Sequence, residues 1–186
     1  MQYRSVFRAG LFSGQSVVVT GGGSGIGRCT AHELAALGAK VALVGRKPEK
    51  LDKVREEIAA AGGAATIHAC DIREEAQVCA TVDAVLAVHG RIDGLVNNAG
   101  GQFPAPLRDI SLKGWEAVVR TNLTGGFLVA RECYRRWMEQ HGGAVDFGPP
   151  VGAPPGGGTV FRFTLPAPRM ASSAPRPADA STAAAP

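Results

Sequence analysis

The sequence lacks long hydrophobic runs: nothing in its 186 residues approaches the roughly 18 apolar positions that a membrane-spanning helix needs. The opening stretch MQYRSVFRAGLFSGQ carries two arginines but no apolar core of about 7–15 residues, so neither a signal peptide nor a membrane partner is expected. Charge of one sign is also scarce. Twenty Lys+Arg against sixteen Asp+Glu leave +4, and the basic residues are scattered apart from Arg46-Lys47 and Arg135-Arg136, which argues against nucleic acid as a partner. Cys29, Cys70, Cys79 and Cys133 form no C-x-x-C and no Cys/His ligand spacing, so reduced, mostly buried thiols in a cytoplasmic protein are expected. Cys29, just past a helix start, reads as a small residue packing helix on sheet rather than as a reactive thiol. His32, His68, His89 and His141 stand alone, without a second ligand at metal spacing, so no metal site is expected.

What is present is a core-forming composition. Apolar residues make up 45% and charged residues 19%, enough for one domain of roughly 100–200 residues plus a remainder. Between Ser16 and about His141 the hydrophobic period switches repeatedly between short runs and helical spacing, the pattern of βαβ units around a parallel sheet. Val17-Val18-Val19, Val41-Ala42-Leu43-Val44, Ala65-Thr66-Ile67 and Leu95-Val96 are the expected buried strands. Helices of about 12–16 residues fit the gaps, as with Val78, Val82, Val85 and Leu86 behind the start Arg73-Glu74-Glu75. From Ile110 a longer amphipathic stretch reaches Met138 and is interrupted by Gly125-Gly126, which predicts one long helix bent near the glycine pair.

The composition then breaks. Residues 144–186 hold 9 of the 12 prolines and 10 alanines in 43 positions, with only five charges, so the domain is expected to occupy 1–143 and a largely disordered Pro/Ala-rich tail 144–186. Within that tail Thr159–Leu165 alternates strictly and predicts a single strand in need of a host sheet.

The most informative segment is Thr20-Gly21-Gly22-Gly23-Ser24-Gly25-Ile26-Gly27, directly after the first strand and before the first helix. Glycines there permit positive φ and let backbone N–H groups approach a pyrophosphate, whose charge the helix N-terminus favours. The expected fold is therefore α/β, a Rossmann-like doubly wound parallel sheet truncated after about its fifth strand. Nineteen residues past Gly27, where a reader of NAD carries Asp or Glu for the ribose 2′-hydroxyl, stand Gly45-Arg46-Lys47. A carboxylate repels a 2′-phosphate, whereas a guanidinium binds it through charge-assisted bonds worth roughly 1.5–3 kcal/mol, so NADP (NADPH) is the expected cofactor. The alternative is that Arg46 merely solvates the start of a helix.

These residues, with Asp71-Ile72 after the third strand, Asn97-Asn98-Ala99-Gly100 after the fourth and Thr121-Asn122-Leu123-Thr124-Gly125 in the long helix, resemble the short-chain dehydrogenase/reductase family. The run Asn97–Phe103, with Lys113-Gly114-Trp115 and Trp137-Met138, looks most like the branch of peroxisomal trans-2-enoyl-CoA and 2,4-dienoyl-CoA reductases. The resemblance implies Gly21, Ser24, Gly25, Ile26 and Gly27 at the pyrophosphate, Arg46 at the 2′-phosphate, and Asp71 and Ile72 at the adenine. It implies Asn98, Ala99 and Gly100 in support of the cofactor pocket and Asn122 in the family's proton relay. It implies hydride transfer from NADPH to a small-molecule substrate, an enoyl-CoA of fatty acid metabolism or a carbonyl, by a homo-oligomer. Read without it, Asn97-Asn98 also suits a turn and Asn122 a helix bend.

The resemblance covers residues of about 10–145 and ends inside the expected fifth strand, at Gly143-Ala144-Val145. The family's proton donor is a tyrosine activated by a lysine, with a serine orienting the substrate. Here no Tyr-x-x-x-Lys occurs, no tyrosine follows Tyr134, no lysine follows Lys113, and no serine lies between Ser111 and Ser172. Two functions follow from this: an NADP-dependent short-chain oxidoreductase, or a catalytically inactive nucleotide-binding fragment. The segment Gly156–Pro166 resembles the closing strand of histidine-kinase ATP-binding domains, and reads equally as a chance strand. With the later elements missing, Trp115, Phe127 and Trp137 are expected to be partly exposed.

Overall fold

The computed structural model describes residues 6–141 and, beyond them, the backbone of residues 144–148 and 160–164. Strands β1 (Ser16–Thr20), β2 (Lys40–Gly45), β3 (Ala64–Ala69) and β4 (Gly94–Val96) form one sheet in the order β3-β2-β1-β4. All three pairings in it are parallel, with Val18 of β1 opposite Ala42 of β2 and Leu95 of β4. Helices α1 (Gly25–Ala36), α2 (Pro48–Ala60) and α3 (Glu75–His89) make the crossovers, with 12, 13 and 15 residues respectively.

The side-chain period of two along a strand divides the core between the two faces. Val17 and Val19 of β1 join Val41 and Leu43 of β2 under Ala31 and Ala35 of α1 and Leu51, Val54 and Ile58 of α2. Val18, Ala42 and Val44 point the other way, onto Val78, Val82 and Val85 of α3. Burial on both faces explains why β1 reads as an unbroken apolar run, each buried Val, Leu or Ile contributing roughly 1.5–3 kcal/mol.

The long helical stretch is three segments: α4 (Leu112–Val118), a wide π-helical turn (Val119–Gly125) and α5 (Gly126–Arg136). Ser111 caps α4, its Oγ accepting the Gly114 N–H at 3.1 Å. The discontinuity ends at the glycine pair and has two local causes. Gly125 packs so closely on Ile72 that a Cβ there would lie 2.8 Å from its side chain, and the Asn97 side-chain amide donates to the Gly126 carbonyl at 2.7 Å. Beyond it, Leu128, Val129 and Cys133 of α5 complete the α3 side of the core.

The Rossmann-like parallel sheet is present as expected, and one expectation, the burial of Cys29, needs correction. The parallel sheet has four strands, and the fifth, β5 (Ala144–Gly148), pairs antiparallel with β6 (Val160–Thr164) in a separate two-stranded sheet. The strand expected at Thr159–Leu165 thus finds its host in β5, while the rest of the tail expected to be disordered lies outside the described residues. Cys29, expected to be buried, is exposed, whereas Cys70 and Cys133 are buried. The buried stripe of α1 is Gly27, Ala31 and Ala35, at four-residue steps, and Cys29 lies off it.

Trp115 and Phe127 are 60% and 55% exposed. Trp137 is partly exposed as well, packing partly onto the α3–α5 core and stacking on His141 with ring centroids 3.6 Å apart. Among the described residues no helix is long and apolar enough to cross a membrane.

Candidate functional site

The site lies where the C-terminal ends of β1, β2 and β3 meet the segment after β4, at the place where the strand order reverses. Thr20, the last residue of β1, ties that edge together. Its Oγ1 accepts the N–H groups of Asn98 (3.0 Å) and Ala99 (2.9 Å), and the Asn98 side-chain amide donates back to the Thr20 carbonyl at 3.0 Å. The glycine loop leaves β1 at Gly21, with φ +68° and its N–H on the Val44 carbonyl at 2.8 Å.

Two glycines in this loop are sterically required. A Cβ on Gly27 would sit 2.4 Å from the Gly21 carbonyl oxygen and 2.5 Å from Asn98 Nδ2, so the first turn of α1 closes onto the loop only without a side chain. Gly21 adds a positive φ to a Cβ clash of 2.8 Å with the same Asn98 amide. Gly25, also at positive φ (+53°), faces open space. Together these leave the start of α1 free for an approaching anion.

A groove of about 310 Å³ runs from this loop to the end of β3. Of the residues singled out in the sequence, Gly21, Ser24, Arg46, Asp71, Ile72, Asn98, Ala99 and Gly100 line it. Gly25 and Gly27 shape the loop without lining the groove, and Ile26 is 78% exposed. Asn122 stands behind the lining residue Thr121 and spends its side chain on Gly101, accepting the Gly101 N–H at 2.8 Å and donating to its carbonyl at 3.0 Å.

Sequence reading passed over Lys47, Lys50 and Arg73, which also line the groove. Lys47 and Lys50 are one helical turn apart across the start of α2, a spacing visible in the sequence. Arg73 had no such signal: it enters because its guanidinium folds back on Asp71, Nε to Oδ1 at 2.9 Å and a terminal nitrogen to Oδ2 at 2.5 Å, while its N–H also meets Oδ1 at 3.1 Å. The Arg73 bonds hold the Asp71 carboxyl down to about 2. The groove therefore presents four basic side chains and one acid already paired. Cys70, another lining residue, is buried, and desolvation pushes its thiol up, which disfavours the thiolate. Among the described residues no group of three or more His, Cys, Asp or Glu is placed to hold a metal ion.

A glycine-rich cradle at a helix N-terminus, continuous with a basic groove, is suited to the phosphates of a dinucleotide. Comparison with known proteins agrees with this class. The short chain dehydrogenase family profile matches residues 15–146, and the chain belongs to that family of oxidoreductases. It is similar to the citronellol catabolism dehydrogenase of Pseudomonas aeruginosa, with 62% identity, 75% of this chain and 57% of that one covered, and a TM-score of 0.72. A metagenomic short-chain oxidoreductase solved in complex with NADP is 44% identical, with 70% and 59% covered and a TM-score of 0.65. The peroxisomal 2,4-dienoyl-CoA reductase of Danio rerio is 31% identical over 145 residues, 77% of this chain and 48% of that protein. The chain spans about half the length of the curated relatives it matches.

Proposed function

We propose that this chain binds NADP(H) as the cofactor-holding half of a short-chain oxidoreductase. The observation that carries the reading is the groove itself, in which the glycine cradle is continuous with Arg46 at the end of β2. Backbone N–H groups of Ser24, Gly25, Ile26 and Gly27 face the pyrophosphate, Gly21 turns the loop towards it while its own N–H stays on the Val44 carbonyl, Arg46 takes the 2′-phosphate, and Ile72 and Asp71 border the adenine. Asn98, Ala99 and Gly100 support the nicotinamide side, and Asn122 holds the loop after β4 in place through Gly101. When bound, the nicotinamide supplies the hydride. An NADP-bound relative supports this choice of cofactor, and a dienoyl-CoA reductase relative supports an enoyl-CoA or carbonyl acceptor in fatty acid metabolism. The exposed α4–α5 face with Trp115 and Phe127 gives a homo-oligomer its surface, and a cytoplasmic setting suits four free thiols.

A second reading is favoured by one observation: no Tyr-x-x-x-Lys occurs in the 186 residues, so a nucleotide-binding fragment without turnover fits this chain taken alone. Fluorescence titration of the full chain with NADPH and NADH, for wild type and Arg46→Asp, tests the cofactor. Wild type is expected to favour NADPH by about ten- to a hundredfold and Arg46→Asp to abolish that preference. An unchanged ratio removes Arg46 from the role. NADPH oxidation with crotonyl-CoA or a generic ketone separates the two readings, since turnover excludes the inactive fragment.

A further inference from the structure

We propose that Arg73 is a specificity-determining residue, which secures the preference for NADPH by cancelling the charge of Asp71 inside the cofactor groove. The inference rests on the NADP reading above and goes beyond it in assigning Asp71 and Arg73 a joint electrostatic role.

Asp71 is the only acid among the residues that line the groove, and Arg46 lines it too. A bare carboxylate there would repel a 2′-phosphate and compete with it for Arg46, whose charge already bears on Asp71. The structure meets this conflict locally. Both carboxylate oxygens of Asp71 are engaged by the Arg73 side chain, with Nε reaching Oδ1 at 2.9 Å and Oδ2 at 3.1 Å. The pair is fixed at both ends: the Arg73 N–H donates to Oδ1, and the Asp71 N–H donates to Gln77 Oε1 at 2.9 Å. The Asp71 side chain is only 19% exposed and that of Arg73 33%, so solvent screens their charges less than those of a free surface pair. Arg73 thus makes the end of β3 neutral to an incoming anion and leaves Arg46, Lys47 and Lys50 unopposed.

A charge cycle on the full chain tests this, reading the ratio of Kd for NADH to Kd for NADPH in wild type, Arg73→Gln, Asp71→Asn and the double variant. The ratio isolates the phosphate, because a merely structural defect weakens both dinucleotides together. Arg73→Gln, which leaves a bare carboxylate, is expected to lower the ratio about five- to tenfold, and Asp71→Asn to raise it. The double variant, neutral again, is expected to return the ratio close to wild type. A ratio unmoved by Arg73→Gln, or a double variant that stays as low as Arg73→Gln, overturns the inference; the second result would mean that Arg73 bonds the phosphate directly. Wild type that binds NADH as tightly as NADPH, or binds neither, overturns the cofactor reading and the inference with it.

Discussion

Gly27 shows how one missing side chain sets the site. The hydrogen in place of its Cβ allows the first turn of α1 to rest on the Gly21 carbonyl, and Asn98 Nδ2 fills the same corner from the β4 side. Gly27→Ala places a carbon 2.4 Å from backbone, where no flexible side chain can yield, so loop and helix must separate. The expected result is a loss of about 1–3 kcal/mol in stability and, on the proposed cofactor reading, a larger loss in NADPH affinity, since that reading assigns the displaced N–H groups to the pyrophosphate. Urea denaturation with and without NADPH checks both. A variant with wild-type affinity would show that the cradle tolerates the carbon and that the close approach is incidental. Gly25→Ala provides the contrast, because space there is open and its cost comes only from the positive φ.

The wide turn between α4 and α5 is the element that tertiary contacts, rather than local propensity, determine. Asn122 projects from it to clamp both polar groups of Gly101, and Asn97 holds the first carbonyl of α5. Asn122→Ala removes two hydrogen bonds from an exposed site, for which a loss of about 1 kcal/mol is expected. Thermal unfolding reads that loss. Hydrogen exchange should locate it at residues 99–103 and 119–125, and protection unchanged there would mean that the turn forms without Asn122. This also marks what the sequence could not reveal. The glycine pair signalled an interruption, but a bend and a π-helical turn look alike until the amides of Asn97 and Asn122 have partners 29 and 21 residues away in the chain. Strands β1 and β2 were legible because burial on both faces leaves continuous apolar runs, whereas β3 and β4, expected to be buried as well, are only partly so at Ala65-Thr66-Ile67 and Leu95-Val96. The groove was legible as far as it is built from backbone and from residues at strand ends. Arg73 was not, because its position depends on a side chain folding back two residues onto Asp71. The exposure of Cys29 could have been read from the four-residue stripe Gly27, Ala31 and Ala35, which it does not share.

At the scale of the whole molecule, the end of the sheet opposite the groove carries a polar network that makes stability depend on pH. His89, the last residue of α3, contacts Ser16 Oγ of β1 through Nδ1 at 2.7 Å and Thr66 Oγ1 of β3 through Nε2 at 2.8 Å. Thr66 also meets His68 Nε2 at 2.9 Å. Burial and the nearby charges of Lys40 and His68 push the His89 imidazole down to about 4, and burial lowers His68 as well. Both rings are therefore neutral when the protein is folded and gain protons more readily when it unfolds. The contribution of His89 to stability is complete above the ordinary histidine value near 6.5 and is lost as pH falls from there towards about 4, and that of His68 has the same sign. The His89 site is half-buried, and solvent screening reduces the effect to about 1–2 kcal/mol across that window. Urea unfolding at pH 7.5 and pH 5 measures it, and His89→Gln, which keeps polar atoms but does not titrate, should flatten the difference. An equal loss in wild type and variant would assign the acid limb to other groups. The Asp71 carboxyl is not one of them, because Arg73 keeps it ionised down to about 2. Acidification to pH 5 is therefore expected to loosen the contacts among β1, β3 and α3 while the charge balance of the groove stays as it is at neutral pH. NADPH should accordingly raise the unfolding midpoint at pH 5 by as much as at pH 7.5, with its own phosphate ionisation taken into account.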